Sequence, residues 1–464
     1  MEHIGNGLPQ EPPFNFRKAD PETGLRILRI SSTHRPQMSP TSQKLQPNSD
    51  RKPTRSVVLC GASVRSLAES AIAAGLHPLC VDFFEDADLQ KLLSSGRGRF
   101  VGQIDSFAQL PQRIRSIRKS IPLLWAGGLE NHTDVLREAS QNRPVIGAAP
   151  EIIEQLRNPW ILQSWLSDAA IDCPRLADEG SADSHCSWLR KSVASSGGRG
   201  IGNHADADRT KVYLQEYIDG VPMSATFCAE ESGLQLFGMS LQLIGWPCLG
   251  ATDFLFCGNV GPVDPGEGVT KQLLAIARVL VDRSGIRGVF GIDFILRQRQ
   301  AWFLEVNPRL TASHMLYELQ QPGLLVHRHL AALGWKPTRP RRSLEMWIDP
   351  PPAPSLVSAR FIFWAKKDVR IPHLQLPDAD QRTSPFKFAD CPQPGSVVIK
   401  SSPLCSLHVT AVDLESVEQN LIRLESGPAD RISLSNGLTQ MGYPSAAIAG
   451  QLRLLRKKLE PNFG

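Results

Sequence analysis

Between residues 289 and 306 the apolar positions fall into two short runs, 289–296 and 302–306, around a polar turn at 297–300. β-rich runs joined by a short polar connection predict a hairpin. Each run carries an acid, Asp293 in GIDF and Glu305 in LEVN, and Asn307 follows Glu305 at spacing two, on the same face of its strand. An acid inside an apolar strand is costly unless it is paired or binds a metal. Two carboxylates and an amide on adjacent strands suit Mg²⁺, which takes one or two carboxylates together with substrate phosphates and water. A hairpin with satisfied structural polar groups is the alternative. Proline cannot continue a ladder, so the strand ends in Asn-Pro-Arg at 307–309.

Upstream the pattern alternates. SVVLC from Ser56 reads as a buried strand, GASVRSLAESAIAAG as a tight turn into a helix, and HPLCVDFFEDADL as a second strand ending in acids. That is a βαβ unit with a parallel sheet, continued to about residue 150 by FVGQI, IPLLWAGGLE and RPVIGAAPE. The turn Gly61-Ala62-Ser63 lacks GxGxxG, so Asp82 reads either as a ribose ligand or as a turn acid. The turn at 127–131 (Gly127, Gly128, Glu130, Asn131) opens after a buried strand, where open α/β sheets place ligands; capping the next helix is the other reading.

Asn158 followed by Pro159 predicts a helix start. A strand then leads to Lys191 and the Ser/Gly loop 195–200. Glycines let backbone N–H groups close over phosphate oxygens and lysine adds a point charge, although a plain hairpin turn uses the same residues. YLQEYI, MSATFCA and GLQLFGMSLQLIG read as strands, and 246–262 as a loop over a cleft. A helix from about 269 ends at Gly285, and 311–334 reads as helical. His327 and His329 are two apart, which puts them on different helix faces and argues against a metal pair. Beyond a Pro- and Arg-rich crossing at about 337–354 come short β-rich runs and a final amphipathic helix.

Composition narrows the class. Residues 1–54 are rich in Pro, Ser, Gln and charge, and predict a disordered tail. The net charge of +5 over 464 residues does not argue for nucleic acid. No apolar run approaches the ~20 residues that cross a bilayer, and the start lacks a signal-peptide pattern. Nine scattered Cys with no CxxC read as core residues in a reducing compartment, so the expected location is cytoplasmic.

The order of these signals resembles the ATP-grasp superfamily, in the branch of biotin carboxylase and predicted ATP-dependent carboligases. The likeness runs over roughly residues 56–410. It is carried by KSVASSGGRGI as a phosphate loop, GIDF and LEVNPR as metal strands, and ADCPQPGSVVIKSSPLCSLHVTA as the end of a β-rich C-terminal domain. The resemblance implies an α/β ATP-grasp fold in four parts: the tail 1–54, a Rossmann-like pre-ATP-grasp domain 55–150, an ATP-grasp domain 151–335 with lobes 151–225 and 226–335, and a small β-rich domain with a terminal helix, 336–464. It further implies that Asp293, Glu305 and Asn307 bind Mg²⁺, with Mn²⁺ as the alternative. Lys191 contacts ATP, the loop Ser196, Gly197, Gly198, Arg199 and Gly200 covers its phosphates, and Gln215, Glu216 and Ile218 meet the adenine. Arg309 stabilises an acyl phosphate.

Three positions depart from that pattern. Pro159 stands where an earlier lysine is usual, with Arg157 as a substitute. Pro222 stands where an acid holds ribose, with Glu216 or Asp219 to compensate. Ser313 stands near the glutamate that biotin carboxylases use for bicarbonate.

The expected activity is an ATP-dependent carboxylate–amine (or thiol) ligase acting through an acyl phosphate, with Arg65 and Arg309 as carboxylate clamps. The partners are ATP, a small carboxylate and an amine, in a monomer or homodimer. A bicarbonate-using carboxylase and an ATP-binding protein with an impaired site are the rivals. The missing dinucleotide fingerprint excludes an NAD(P) oxidoreductase.

Overall fold

The computed structural model describes residues 52–94, 96–182, 186–202, 212–319, 321–337, 356–371, 385–424 and 442–462. The expectations for residues 1–51 and for most of the crossing at 337–354 lie outside them. Lys52–Thr54, inside the stretch predicted to be disordered, is a short strand parallel to Trp335–Pro337.

The first sheet is wholly parallel, in the spatial order Arg99–Gln103, His77–Asp82, Ser56–Cys60, Leu123–Trp125, Val145–Ile146. Its strands are apolar runs because helices cover both faces, and Val57, Val58, Leu59 and Leu124 are buried. The chain reverses direction across the sheet between Ser56–Cys60 and Leu123–Trp125. The turns after these two strands therefore flank a crevice at the switch point, and Ala62 N–H donates to Gly127 O at 2.8 Å. Asp82 is a turn acid. It is fully buried and accepts from the N–H groups of Val64, Phe84 and Glu85.

The second sheet has eight strands. Across it run Gln300–Asn307, Gly288–Arg297, Val221–Glu230, Gly233–Ile244, Phe256–Val263, Val357–Trp364, Pro403–Ala411 and Phe386–Ala389. The β-rich C-terminal runs thus continue the same sheet as the 285–310 hairpin. Period-two alternation gives this sheet two unlike faces. One is apolar (Met223, Ala225, Leu241, Leu243, Ile292, Phe294) and packs with Val269, Leu273, Ile276 and Leu280 of the helix Glu267–Ser284. That helix ends at Gly285, whose φ of 71° is the left-handed conformation a helix terminus favours in glycine. The other face carries Ser224, Ser240, Gln242, Asn259, Asp293 and Arg360, all of which line one cleft.

Two expected elements differ. Residues 256–263 are a buried central strand and not a loop. Gly258, Gly261 and Pro262 hide its alternation, and glycine is needed at 258 because a Cβ there would stand 1.9 Å from Arg360 O. Residues 311–334 form a 3₁₀ segment, Ala312–Tyr317, and a helix, Leu324–Ala332, because Pro322-Gly323 interrupts them. His329 lies buried in the second piece and accepts from Val289 N–H through Nδ1 at 2.8 Å, a core role.

Arg65 joins the first domain to the C-terminal strands. It is 2% exposed, donates to Asp390 at 2.8 Å and to Glu69 at 2.8 Å, and lies 3.5 Å from Asp88. A guanidinium committed to three acids is not a substrate clamp, which corrects the sequence expectation. Asp86 beside this network has an unpartnered Oδ2, and burial, then Asp390, Asp88 and Asp82, push its carboxyl up to about 9. The folded chain holds a proton that the unfolded chain, with a carboxyl near pKa ~4, has lost, so stability declines as pH rises from about 4 to about 9. Asp86→Asn is expected to flatten that decline and to raise the denaturant midpoint at pH 8 but not at pH 4, as urea melts at the two pH values will read.

Candidate active site

A cleft of about 550 Å³ lies between the switch-point turns of the first sheet, a small three-stranded sheet, and the polar face of the large sheet. The three-stranded sheet runs Leu176–Ala177, Val212–Glu216, Trp188–Ser192.

The hairpin forms one wall. Asp293 and Glu305 are direct cross-strand partners, and Asn307 pairs with Gly291 one step further on. Asn307 Nδ2 donates to Asp293 Oδ2 at 3.0 Å. Desolvation, reinforced by the charge of Glu305, pushes the Asp293 carboxyl up to about 7, against the pull of Gln242, Arg309 and Asn307. Two carboxylates held this close favour a shared counter-cation, and two acids plus an amide are the hard oxygen donors that Mg²⁺ prefers. Among the described residues no group of three or more His, Cys, Asp or Glu is placed to hold a metal, so the hairpin set would rely on added oxygens from substrate or water.

Opposite the hairpin, Lys191 is 5% exposed and donates through Nζ to Gln215 Oε1 at 3.0 Å. Residues 195–198 follow it along the cleft wall. Arg157 organises this loop. Its Nη2 donates to Ser195 O at 2.7 Å, Val193 O at 2.9 Å and Asn131 Oδ1 at 3.1 Å, while Nη1 lies 3.9 Å from Glu305 Oε2. Those two carbonyls are thereby satisfied within the protein. The 245–255 segment closes over the loop. Phe256 N–H donates to Gly197 O at 3.0 Å, and a Cβ on Gly198, at φ +79°, would stand 1.8 Å from Phe254 O. Gly198→Ala must therefore displace one segment from the other. Its expected effect is a tenfold or greater loss of affinity for a ligand of the cleft, roughly 1.4 kcal/mol, together with a lowered melting temperature, because alanine is strained in the left-handed region.

At the base of the cleft Arg309 donates from Nη2 and Nε to Glu130 Oε1 at 2.6 and 2.9 Å, and Gly128 N–H holds Glu130 Oε2 at 2.7 Å. Burial alone would raise the Glu130 carboxyl, but Arg309 more than offsets it and the net shift is downward. The glycine at 127 has a steric reason, since a Cβ there would meet the Arg309 guanidinium at 3.3 Å.

Residues 156–313 match a family model described as an ATP-grasp domain. The chain carries an ATP-grasp domain. Three solved structures share the fold. Biotin carboxylase of Campylobacter jejuni, as a β,γ-ATP complex, is 14% identical with a TM-score of 0.59, over 79% of this chain and 90% of that one. The L-amino acid ligase of Bacillus licheniformis is 13% identical with a TM-score of 0.57, over 81% and 98%. The N5-carboxyaminoimidazole ribonucleotide synthetase of Thermus thermophilus is 13% identical with a TM-score of 0.54, over 80% and 98%. No curated protein sequence matches the chain. Among the described residues no helix is long and apolar enough to cross a membrane.

Within the ATP-grasp domain, Asp293, Glu305, Asn307, Lys191, Ser196, Gly197, Gly198, Gln215, Glu216, Ile218 and Arg309 all line the one cleft. Arg199 and Gly200 do not. The Arg199 guanidinium donates to Ser401 O at 2.8 Å and lies over the Trp364 ring, and Gly200 O accepts from Ser192 N–H. Glu216 Oε2 accepts from Arg175 N–H at 3.1 Å. Sequence reasoning did not place Gln242 in the site, although Ser240 and Gln242 at spacing two in an otherwise apolar strand were the available signal.

Proposed function

We propose that the chain is an ATP-dependent ligase that activates a carboxylate as an acyl phosphate, which an amine then attacks to give an amide, ADP and phosphate. The observation that carries this reading is the cross-strand pair Asp293–Glu305 facing Lys191 and the glycine loop across a single cleft. The ATP-grasp domain and the nucleotide, ligase and synthetase titles of its structural neighbours support it.

Asp293, Glu305 and Asn307 would hold Mg²⁺, with Mn²⁺ as the alternative. Such an ion would supply positive charge to offset that of the phosphates. Gln215, Glu216 and Ile218, at the end of their strand, take the adenine. Lys191, steadied by Gln215, faces the phosphates, and the amides of residues 196–198 cover them while Arg157 satisfies the neighbouring carbonyls. Phosphoryl transfer needs positioning and charge stabilisation rather than a protein nucleophile, so the absence of a nucleophilic triad from the mechanism is no deficit. Arg309 is fixed by Glu130 and meets the anionic transition state already oriented. The 245–255 segment, whose Phe254 O abuts Gly198 and whose next strand begins with the Phe256 N–H bonded to Gly197 O, would exclude water from the acyl phosphate.

The test is phosphate release from MgATP across small carboxylates and amines. The reading expects release that requires both substrates. Release with bicarbonate alone would move the assignment to a carboxylase. ATP binding without turnover, unchanged in Glu305→Ala, would make the chain a nucleotide-binding protein.

A further inference from the structure

The cleft extends well beyond the hairpin. Cross-strand pairing continues the polar face from Asp293 to Ser224 and from Ser224 to Ser240, and then, one residue pair along, from Gln242 to Asn259 and from Asn259 to Arg360. Asn259 lies three strands from Asp293, about 14 Å at the usual strand spacing. It is 1% exposed and lines the cleft, and neither its amide nitrogen nor its amide oxygen has a hydrogen-bond partner. The 3₁₀ segment Ala312–Tyr317 packs over this end of the sheet and brings His314, 2% exposed, to the same wall. His314 Nδ1 is 2.8 Å from Thr311 O. A carbonyl only accepts, so Nδ1 carries the hydrogen and Nε2 of the neutral ring is a lone-pair acceptor, also without a partner.

Buried polar groups are almost always satisfied, so four unpartnered atoms on residues lining one cleft, Ser240 Oγ being the fourth, are a demand for a ligand of matching pattern. Asn259 offers one donor side and one acceptor side, and His314 offers an acceptor. The arginine beside Asn259, Arg360, is already committed to Asp390 at 2.6 Å. A carboxylate placed here would be desolvated against a neutralised arginine, whereas an amide would find its complement.

We propose that this end of the cleft is the subsite for the second substrate and that it recognises an uncharged amide edge, a primary carboxamide whose C=O and one N–H pair with Asn259, with its second N–H donated to His314 Nε2. The acceptor is accordingly an amine carrying an amide and not a free α-amino acid. This rests on the ligase reading for its place in the reaction, but the recognition is tested without turnover.

The test is ¹⁵N NMR of the full chain with labelled histidine and asparagine. The His314 Nε2 signal is assigned by its loss in His314→Gln and the Asn259 side-chain amide by its loss in Asn259→Ser. Glycinamide and glycine serve as probes of equal size. Glycinamide is expected to shift both signals in saturable fashion, glycine to bind about tenfold more weakly or not at all, and the His314 response to glycinamide to be lost in Asn259→Ser. Equal responses to the two probes, or none to glycinamide, overturn the proposal. Failure of ADP formation with a His314 signal that still responds would instead remove the ligase reading and leave the amide subsite standing.

Discussion

Glu305→Gln is expected to lower ATP turnover by about a thousandfold, the several kcal/mol that a metal held by the hairpin would contribute to transition-state charge, while leaving the fold intact. The argument is geometric. Asp293 and Glu305 are in register across the hairpin, and Asn307 bonds Asp293 at 3.0 Å, so removing one charge leaves a single carboxylate to hold the cation that would offset the charge of a transferring phosphoryl group. The Glu305 side chain is 34% exposed, so the amide is solvated and the substitution costs little stability. Chelation by EDTA should abolish turnover in the wild type, and added Mg²⁺ should restore the wild type but not the variant. Steady-state kinetics at saturating Mg²⁺ and calorimetric melting read the two effects separately. Unchanged kcat in Glu305→Gln would remove the hairpin from the chemistry.

The largest effect on stability is expected at Arg65. Arg65→Ala leaves the buried Asp390 with Arg360 alone, Glu69 with Lys387 alone, and Asp88 without its cation, at a cost toward the lower end of the roughly 3–5 kcal/mol that breaking a buried pair from one side incurs. The loss should appear as a lower urea midpoint with kinetic constants unchanged in the molecules that remain folded. The same network sets an acid limit. Burial opposes ionisation of both Glu69 and Asp390, but Arg65 prevails, holding Glu69 at about 2 with help from Lys387 and holding Asp390 well below the usual carboxylate range with help from Arg360. Their folded pKa values lie below the unfolded ones. The stabilisation is therefore present above pH ~4 and is lost as pH falls from there toward 2. Arg65→Ala should flatten that acid limb.

Much of the hairpin was legible because period-two alternation makes an intruding acid conspicuous, and Asp293 and Glu305 do face one another. Of the Ser/Gly run, residues 196–198 line the cleft, while Arg199 and Gly200 turn away from it. Long-range partnerships were not legible. Arg65 meets Asp390 across 325 positions and Arg309 meets Glu130 across 179, and no spacing rule reaches that far. Arg65 thus read as a free clamp when it is a structural cation. Arg157 could be weighed only as a replacement charge, whereas its work lies in holding two loop carbonyls. The strand Phe256–Val263 was lost because its glycines serve close approach between strands, which in sequence reads as a loop.

The central claim is that a carboxylate is activated as an acyl phosphate in the cleft between the hairpin and the glycine loop. The most direct measurement uses a substrate carboxylate labelled with ¹⁸O in both oxygens, chosen from those that support ADP formation, with MgATP and an amine. Mass spectrometry of the released phosphate is expected to show one ¹⁸O per turnover, carried over when the carboxylate oxygen becomes the phosphate bridge. Unlabelled phosphate, or label recovered in AMP, would contradict the account.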